Sequence, residues 1–360
     1  MQRGSPRIPP VLRRGTNPIN HLAGGRRRLS RPLAEALPAD KPYFSAWTPS
    51  RARTVAKLLA GQLGFSGEPE LLRHGNSSRF QLGDTTAKLT NPECTSPEDV
   101  QRELDFAQLC HDSGAPVLTP RENTVRTVTQ GGEQFAATLW PHIPEADKSA
   151  DPFQAGQVLA TLHQLRLNTS IAQKLAPVDP CRVIAQFIDL ITPVATSAER
   201  TLLRERAQLA RAAWGELASH RGLPQVPVHL NHHDSSITGS PLHDGKPGPW
   251  IVNTECSGLG PAELDLLRVQ LRVDRFGASP HIVDDFRAGY AAVAGTEALS
   301  DCPELLRTLR CVWEPFVIAE RCSELVYDEP ELEAEFHIRI DSLRYEPDDP
   351  HAQQWTHVAH

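Results

Sequence analysis

Val228-His229-Leu230-Asn231-His232-His233-Asp234-Ser235-Ser236-Ile237 is the stretch on which the reading of this chain turns. Apolar residues lead into it and close it, and between them polar side chains and three histidines crowd a short segment, the pattern of strand, loop and strand. A second run follows, Trp250-Ile251-Val252-Asn253-Thr254-Glu255, then Gly258, Gly260-Pro261 and Asp265-Leu266-Leu267. The two runs form one unit: strand, polar loop, hairpin, strand, a loop containing glycines, and the first turn of a helix.

At this spacing the unit resembles the aminoglycoside phosphotransferase and choline kinase-like family, whose pattern runs roughly V-H-G-D-x-H-x-x-N, a hairpin, I-D-W-E, a glycine-containing loop, and D-L-A opening a helix. His229, His233, Glu255, Gly258, Gly260, Asp265 and Leu266 fall at the family's positions, which leaves the alignment no free register. Three departures fall where the family does its chemistry. Asn231 stands at the proton-accepting Asp, Ser236 at the metal-binding Asn, and Asn253 at the metal-binding Asp that follows the strand.

The resemblance implies a bilobal protein kinase-like fold, α+β, with a small antiparallel β N-lobe and a mainly helical C-lobe. An N-lobe of this kind needs strands around a phosphate-covering turn, a strand Lys for the phosphates and a helix Glu to orient it. Glu70 to His74 and Arg79 to Leu82 read as strands flanking Gly75-Asn76-Ser77-Ser78, with Ser77 a candidate phosphate contact; a plain hairpin reads the same way. Lys88 lies in a third strand, Thr85 to Thr90. A helix follows with Ser96 as N-cap, Pro97 first and Glu98 and Asp99 in its first turn, and it carries Glu103 as the partner for Lys88.

Val125 to Thr129 and Gln134 to Trp140 alternate around Gly131-Gly132, a hairpin signal. Trp140-Pro141-His142-Ile143-Pro144 falls at the family's interlobe connection, which makes Trp140 and His142 nucleotide-site candidates; a proline-rich turn without a ligand fits equally well. From Asp151 the apolar period changes from two to about 3.6, the mark of helices. One starts at Asp151-Pro152 and carries Leu159, Leu162 and His163; others are expected near 180–191, 197–218, 261–276, 280–293 and 303–325, with a last one over 329–343. The organisation expected is a basic arm over 1–45, the N-lobe over 46–140, the C-lobe with the catalytic-loop-like segment over 141–327, and an acidic segment over 328–360.

The composition fits a soluble globular protein: 360 residues, 39% hydrophobic, net charge -7. That charge gives no reason to expect nucleic acid binding, and no apolar run reaches membrane-spanning length. Seven dispersed cysteines without a C-x-x-C pair, and an Arg-rich beginning without an apolar core, point to a reduced, cytoplasmic protein. Residues 1 to 41 carry nine Lys or Arg against two acids, and Asp328 to Pro350 the reverse bias, nine acids against two Arg.

Asn231 cannot act as a general base as a carboxylate does. Mg2+ relies on one or two carboxylates plus substrate phosphates, so neutral Asn253 and Ser236 weaken its site. Two acids are candidates to compensate: Asp234 for hydroxyl orientation, and Glu255 for metal binding, since on an extended chain it faces the same side as Asn253. A transition-metal cluster of His229, His232, His233 and Asp234 is a separate reading of the same loop. The sequence therefore supports a pseudo-phosphotransferase that binds a nucleotide such as ATP, another small polar ligand or a protein partner, with Mg2+ weakly held. The competing reading is an active ATP-dependent O-phosphotransferase acting on a small-molecule hydroxyl, such as that of an aminoglycoside.

Overall fold

A computed structural model describes residues 47–75, 77–92, 95–144, 150–167, 174–190, 195–219, 224–230, 237–238, 242–243, 246–296, 298–300, 302–322, 330–345, 349 and 354–356. The basic arm and, in the polar loop, Asn231 to Ser236 lie outside the described residues.

The chain folds as α+β, with a five-stranded antiparallel sheet followed by a mainly helical region. Helix α1 (Pro49–Gln62), to which the sequence reading assigned no element, comes first. Thr48 accepts the Arg51 N–H and Pro49 opens the helix, which buries Ala52, Val55, Ala56, Leu59 and Ala60 along one stripe. That stripe packs on one face of the sheet, against Phe80, Leu82, Ala87, Leu89, Phe135 and Leu139. The sheet is ordered β1-β2-β3-β5-β4, with β1 Glu70–Arg73, β2 Ser77–Leu82, β3 Thr85–Thr90, β4 Arg126–Gln130 and β5 Glu133–Pro141. Ser77, read as part of a turn, is the first residue of β2 and pairs with Thr90, so the turn is shorter than expected.

Helix α2 (Pro97–Asp112) crosses between β3 and β4. Its N-terminus is a capping box: Ser96 accepts from the Asp99 N–H, and the Asp99 carboxylate accepts from the Ser96 N–H. Beyond β5 come α3 (Pro152–His163), α4 (Pro180–Leu190) and α5 (Ser197–Ser219). Short strand β6 (Val226–Val228) precedes the polar loop, and a two-stranded ribbon, β7 (Leu242–His243) and β8 (Lys246–Pro247), follows it. Strand β9 (Gly258–Gly260) pairs with β6 in the register Val228↔Gly258, which fixes the two ends of the polar unit beside each other. Helices α6 (Glu263–Asp274), α7 (His281–Ala294), α8 (Pro303–Cys322) and α9 (Pro330–Ser342) complete the helical region. Its core gathers Ile184, Leu203, Leu267, Leu309, Trp313, Phe316 and Ile340.

Helices α3 and α7 touch backbone to backbone through two glycines. A methyl group at Gly289 would overlap the Phe153 carbonyl, and one at Gly156 would overlap the Phe286 carbonyl. Both obstacles are main chain, so neither yields by rotating a side chain. Gly289→Ala is expected to destabilise by about 1–3 kcal/mol through overpacking, read as a lower urea midpoint. A midpoint equal to wild type would show that the two helices can separate at no cost.

Candidate functional site

The site is built on the face of the sheet opposite α1. Side chains alternate along a strand, so Phe80 and Ala87 enter the core while Ser77, Arg79 and Lys88 face the other way. The β2–β3 hairpin sets Arg79 directly opposite Lys88, and the β1–β2 pairing sets Arg73 opposite Arg79. Three cations thus form a row across three adjacent strands. Like charges directly opposite each other destabilise a sheet, so the row requires anions.

Two carboxylates supply them. Lys88 Nζ donates to Glu103 Oε2 on α2 at 2.7 Å and to Glu255 Oε2, and Glu255 Oε1 lies 3.8 Å from the Arg79 guanidinium. The expected Lys88–Glu103 pair is therefore present in the geometry, and Glu255 forms a second pair on the same ammonium. Their environments differ: the Glu103 side chain is 4% exposed and that of Glu255 31%. Burial raises the Glu103 carboxyl above its ordinary range despite Lys88. Burial also works against ionised Glu255, but Lys88 and Arg79 outweigh it and hold its pKa down at about 2. Burial likewise opposes the Lys88 charge, yet Glu103 and Glu255 together raise its pKa above the usual value.

The extended chain on which Glu255 and Asn253 would share a face is interrupted at Asn253. Asn253 has φ 62°, the left-handed region, which breaks the alternation that the expectation assumed. Of the expected Mg2+ positions that are described, Asn253 is a neutral amide and Glu255 a carboxylate already held by two cations. Among the described residues no group of three or more His, Cys, Asp or Glu is placed to hold a metal ion.

The entrance to the polar loop is held by Asp265 in the first turn of α6. Its Oδ2 accepts the His229 N–H and its Oδ1 the Leu230 N–H, both at 2.9 Å, and His163 Nε2 of α3 lies 2.9 Å from Oδ2. His163 Nδ1 in turn meets the Tyr290 hydroxyl of α7 at 2.8 Å. These bonds hold Leu230 at φ 56°, a conformation uncommon for a residue with a side chain, at the position where the resembled pattern has glycine. His229 is fully buried with Nε2 2.7 Å from the Val252 carbonyl. A carbonyl only accepts, so Nε2 carries the proton, and burial pushes the ring pKa down to about 4, leaving His229 neutral. It acts as a strut between the two strands of the polar unit.

The candidates Trp140 and His142 lie apart from this cluster. Trp140 is buried in β5, its indole N–H donating to Thr138 Oγ1 at 2.9 Å. The His142 N–H donates to the Asp84 carbonyl at 2.9 Å, and its Nδ1 lies 3.1 Å from Thr86 Oγ1. The cavity beside Lys88, of about 420 Å³, is lined by Ser77, Lys88, Glu103 and Glu255 but not by Trp140 or His142. Candidates Asn231, Asp234 and Ser236, and the histidines His232 and His233, lie outside the described residues. Arg73, Arg79 and Leu230 were not singled out from the sequence. The Gly83-Asp84 turn carries a signal for Arg79, because a two-residue hairpin loop fixes the count back to position 79 opposite 88.

No protein-family model matches the chain. An uncharacterized protein of Deinococcus radiodurans is 26% identical, over 77% of this chain and 94% of that one. Among solved structures, a microcompartment-associated aminopropanol kinase superposes with TM-score 0.58 at 15% identity, over 79% of this chain and 94% of its own. An amicoumacin kinase in complex with AMP-PNP and Ca2+ gives 0.56 at 14%, over 85% and 97%. A choline/ethanolamine kinase family protein from Mesorhizobium loti gives 0.51 at 17%, over 82% and 95%. The chain has the bilobal kinase-like fold of the aminoglycoside phosphotransferases and choline kinases. Among the described residues no helix is long and apolar enough to cross a membrane.

Proposed function

We propose that this chain is a pseudo-phosphotransferase: a kinase-fold protein that holds a nucleotide or another small polar ligand in its cleft, and acts through that binding or through a protein partner. The observation that carries the reading is the double pairing of Lys88. The ammonium that a kinase turns toward the phosphates is matched here by both Glu103 and Glu255. The residue at the metal-binding Asp position is the neutral Asn253, and Glu255, the next acid along the chain, answers to Lys88 and Arg79. Mg2+ is a hard cation usually bound through one or two carboxylates plus substrate phosphates, and these donors, one uncharged and one engaged by cations, hold it weakly. Phosphoryl transfer depends on metal ions to neutralise the developing charge, so the same substitutions weaken catalysis while leaving a cleft that binds.

Calorimetric titration of the full chain with ATP, with and without Mg2+, tests this. The expected result is an affinity that Mg2+ changes less than about twofold, in contrast to enzymes whose metal bridges the phosphates. Affinity that Mg2+ raises tenfold or more, lost in Glu255→Ala, favours the second reading, an active ATP-dependent O-phosphotransferase in which Glu255 and Asp234 take over the missing roles. The amicoumacin kinase neighbour, solved with AMP-PNP and Ca2+, motivates keeping that reading in the same experiment.

A further inference from the structure

We propose that the pocket holding Trp355, formed by the end of α6 with α8 and α9, is a socket for the C-terminal segment of a second copy of this chain. Two copies exchange these segments and form a two-fold dimer. The proposal stands apart from the reading of the cleft.

The socket is built without the segment that fills it. Arg275, directly after α6, is gripped by Glu314 of α8 through two bonds of 2.9 Å, and Arg339 of α9 is held by Glu335 at 2.7 Å. All four side chains are buried. Neither pair involves residues 354–356, so the walls are pre-organised for whichever segment enters. The segment is recognised as a short peptide would be. The indole lies 5.2 Å and 5.7 Å from the two guanidinium groups and donates to Ser342 Oγ at 2.8 Å. The Trp355 N–H donates to the Arg275 carbonyl, the Thr356 N–H and hydroxyl to Glu335, and Arg339 Nη2 to the Thr356 carbonyl at 2.7 Å. Gln354 lies over Gly277, where a methyl group would come within 2.9 Å of its amide. A tryptophan between arginines, with its neighbouring main-chain groups answered, has the make-up of a binding hot spot. Every one of these contacts depends on residues 354–356 alone and not on which chain supplies them.

What points to a second copy is the tether. Nine residues, Glu346 to Gln354, join Tyr345 to Trp355, and both ends meet at one residue: Arg275 Nη2 donates to the Tyr345 carbonyl at 3.1 Å, and the Arg275 carbonyl accepts the Trp355 N–H. Nine extended residues reach about 30 Å, whereas within one chain they close a loop over the span of a single side chain. Their sequence resists that closure. Glu346, Asp348 and Asp349 repel one another when drawn together, and Pro347 and Pro350 favour extended backbone. Insertion into a neighbouring copy keeps every bond of the socket and spares the closed loop. Each copy gives and receives the same segment, so the exchange closes with two-fold symmetry and leaves no socket empty.

The test is sedimentation velocity of the full chain, equilibrated from low to high micromolar concentration, alone and with an excess of a synthetic peptide of residues 346–360. The expected result is a species that passes from one chain to two as concentration rises. The peptide should return it to a monomer by filling the sockets, while the same peptide carrying Trp355→Ala leaves the dimer intact. In the full chain Trp355→Ala is expected to weaken dimerisation at least about a hundredfold, the scale of a lost tryptophan hot spot. Should that variant fail to fold, judged by near-ultraviolet circular dichroism, the peptide experiment on the wild type decides alone. A single chain at every concentration overturns the proposal and makes the segment an internal strap. A dimer that the peptide does not dissociate, or that persists in a folded Trp355→Ala variant, also overturns it, because its interface then lies on another face.

Discussion

Asp265→Ala is expected to cost about 3–5 kcal/mol of stability, the range for breaking a fully buried charged network by deleting one partner. The carboxylate is completely buried and accepts two main-chain N–H groups while facing His163. Its removal leaves those donors without an acceptor in a region water does not reach, and frees Leu230 from its left-handed conformation. The measurement is the urea midpoint at constant m, together with amide exchange at His229 and Leu230, which should accelerate well beyond the exchange of the sheet. Asp265→Asn keeps the volume and one acceptor oxygen, so about 1–3 kcal/mol is expected. The pH profile checks the assignment independently. Burial alone would raise the Asp265 pKa, but the His163 contact and the bonds to the loop bring it below the ordinary value. Its contribution is therefore complete above the ordinary carboxylate range and is lost as the pH falls through the lowered native pKa. His229 adds a second acid-side loss: an unfolded His binds a proton below about pH 6.5, while the native ring takes one only near pH 4. The wild type should lose stability between those values, and Asp265→Ala should lack the later, carboxylate part of the decline.

Local signals carried most of the fold. The Ser96-Pro97 cap with Asp99, the Gly131-Gly132 turn, and the change of period after Asp151 each act within a few residues, and the corresponding elements lie where those signals placed them. Helix α1 escaped because its stripe is small: three of its five buried positions are alanines, which pack closely on a sheet but give weak apolar contrast. The C-terminal docking of Trp355 escaped for the opposite reason, a lone aromatic in a short polar stretch with no period around it.

The site was legible in part, and the division follows sequence distance. Lys88 and Glu103 are 15 residues apart on adjacent elements and could be paired by order alone. The partnership of Lys88 with Glu255 spans 167 positions, and that of Asp265 with Leu230 runs from a side chain to a main-chain N–H 35 residues earlier. Residue types do not announce such contacts. Arg73 is further hidden by the irregular register between Leu71 and Arg73, which a regular strand count misses. The expectation for Glu255 rested on an extended chain, which the left-handed Asn253 interrupts, and its pairing with Lys88 and Arg79 joins positions far apart in sequence.

Trp355→Ala is expected to destabilise the helical region by about 3–5 kcal/mol, the cost of truncating a buried large aromatic. Trp355 is 2% exposed. The Arg339 guanidinium lies 5.2 Å and that of Arg275 5.7 Å from its ring centroid, and the Phe276 ring packs edge-on at 5.6 Å. Its indole N–H donates to Ser342 Oγ, its main-chain N–H to the Arg275 carbonyl, and the adjacent Thr356 donates twice to Glu335. Both arginines are themselves anchored, Arg275 by a two-pronged bond to Glu314 on α8 and Arg339 by Glu335 on α9. The segment thus closes a ring of contacts over α6, α8 and α9, and removing the indole leaves two buried guanidinium faces against a void. A double-mutant cycle with Arg339→Lys should return a coupling of about 0.5–2 kcal/mol, since the ammonium cannot reproduce the flat stacking of the guanidinium. A Trp355→Ala variant within about 0.5 kcal/mol of wild type would behave as a surface substitution, and the segment would then not be docked at all.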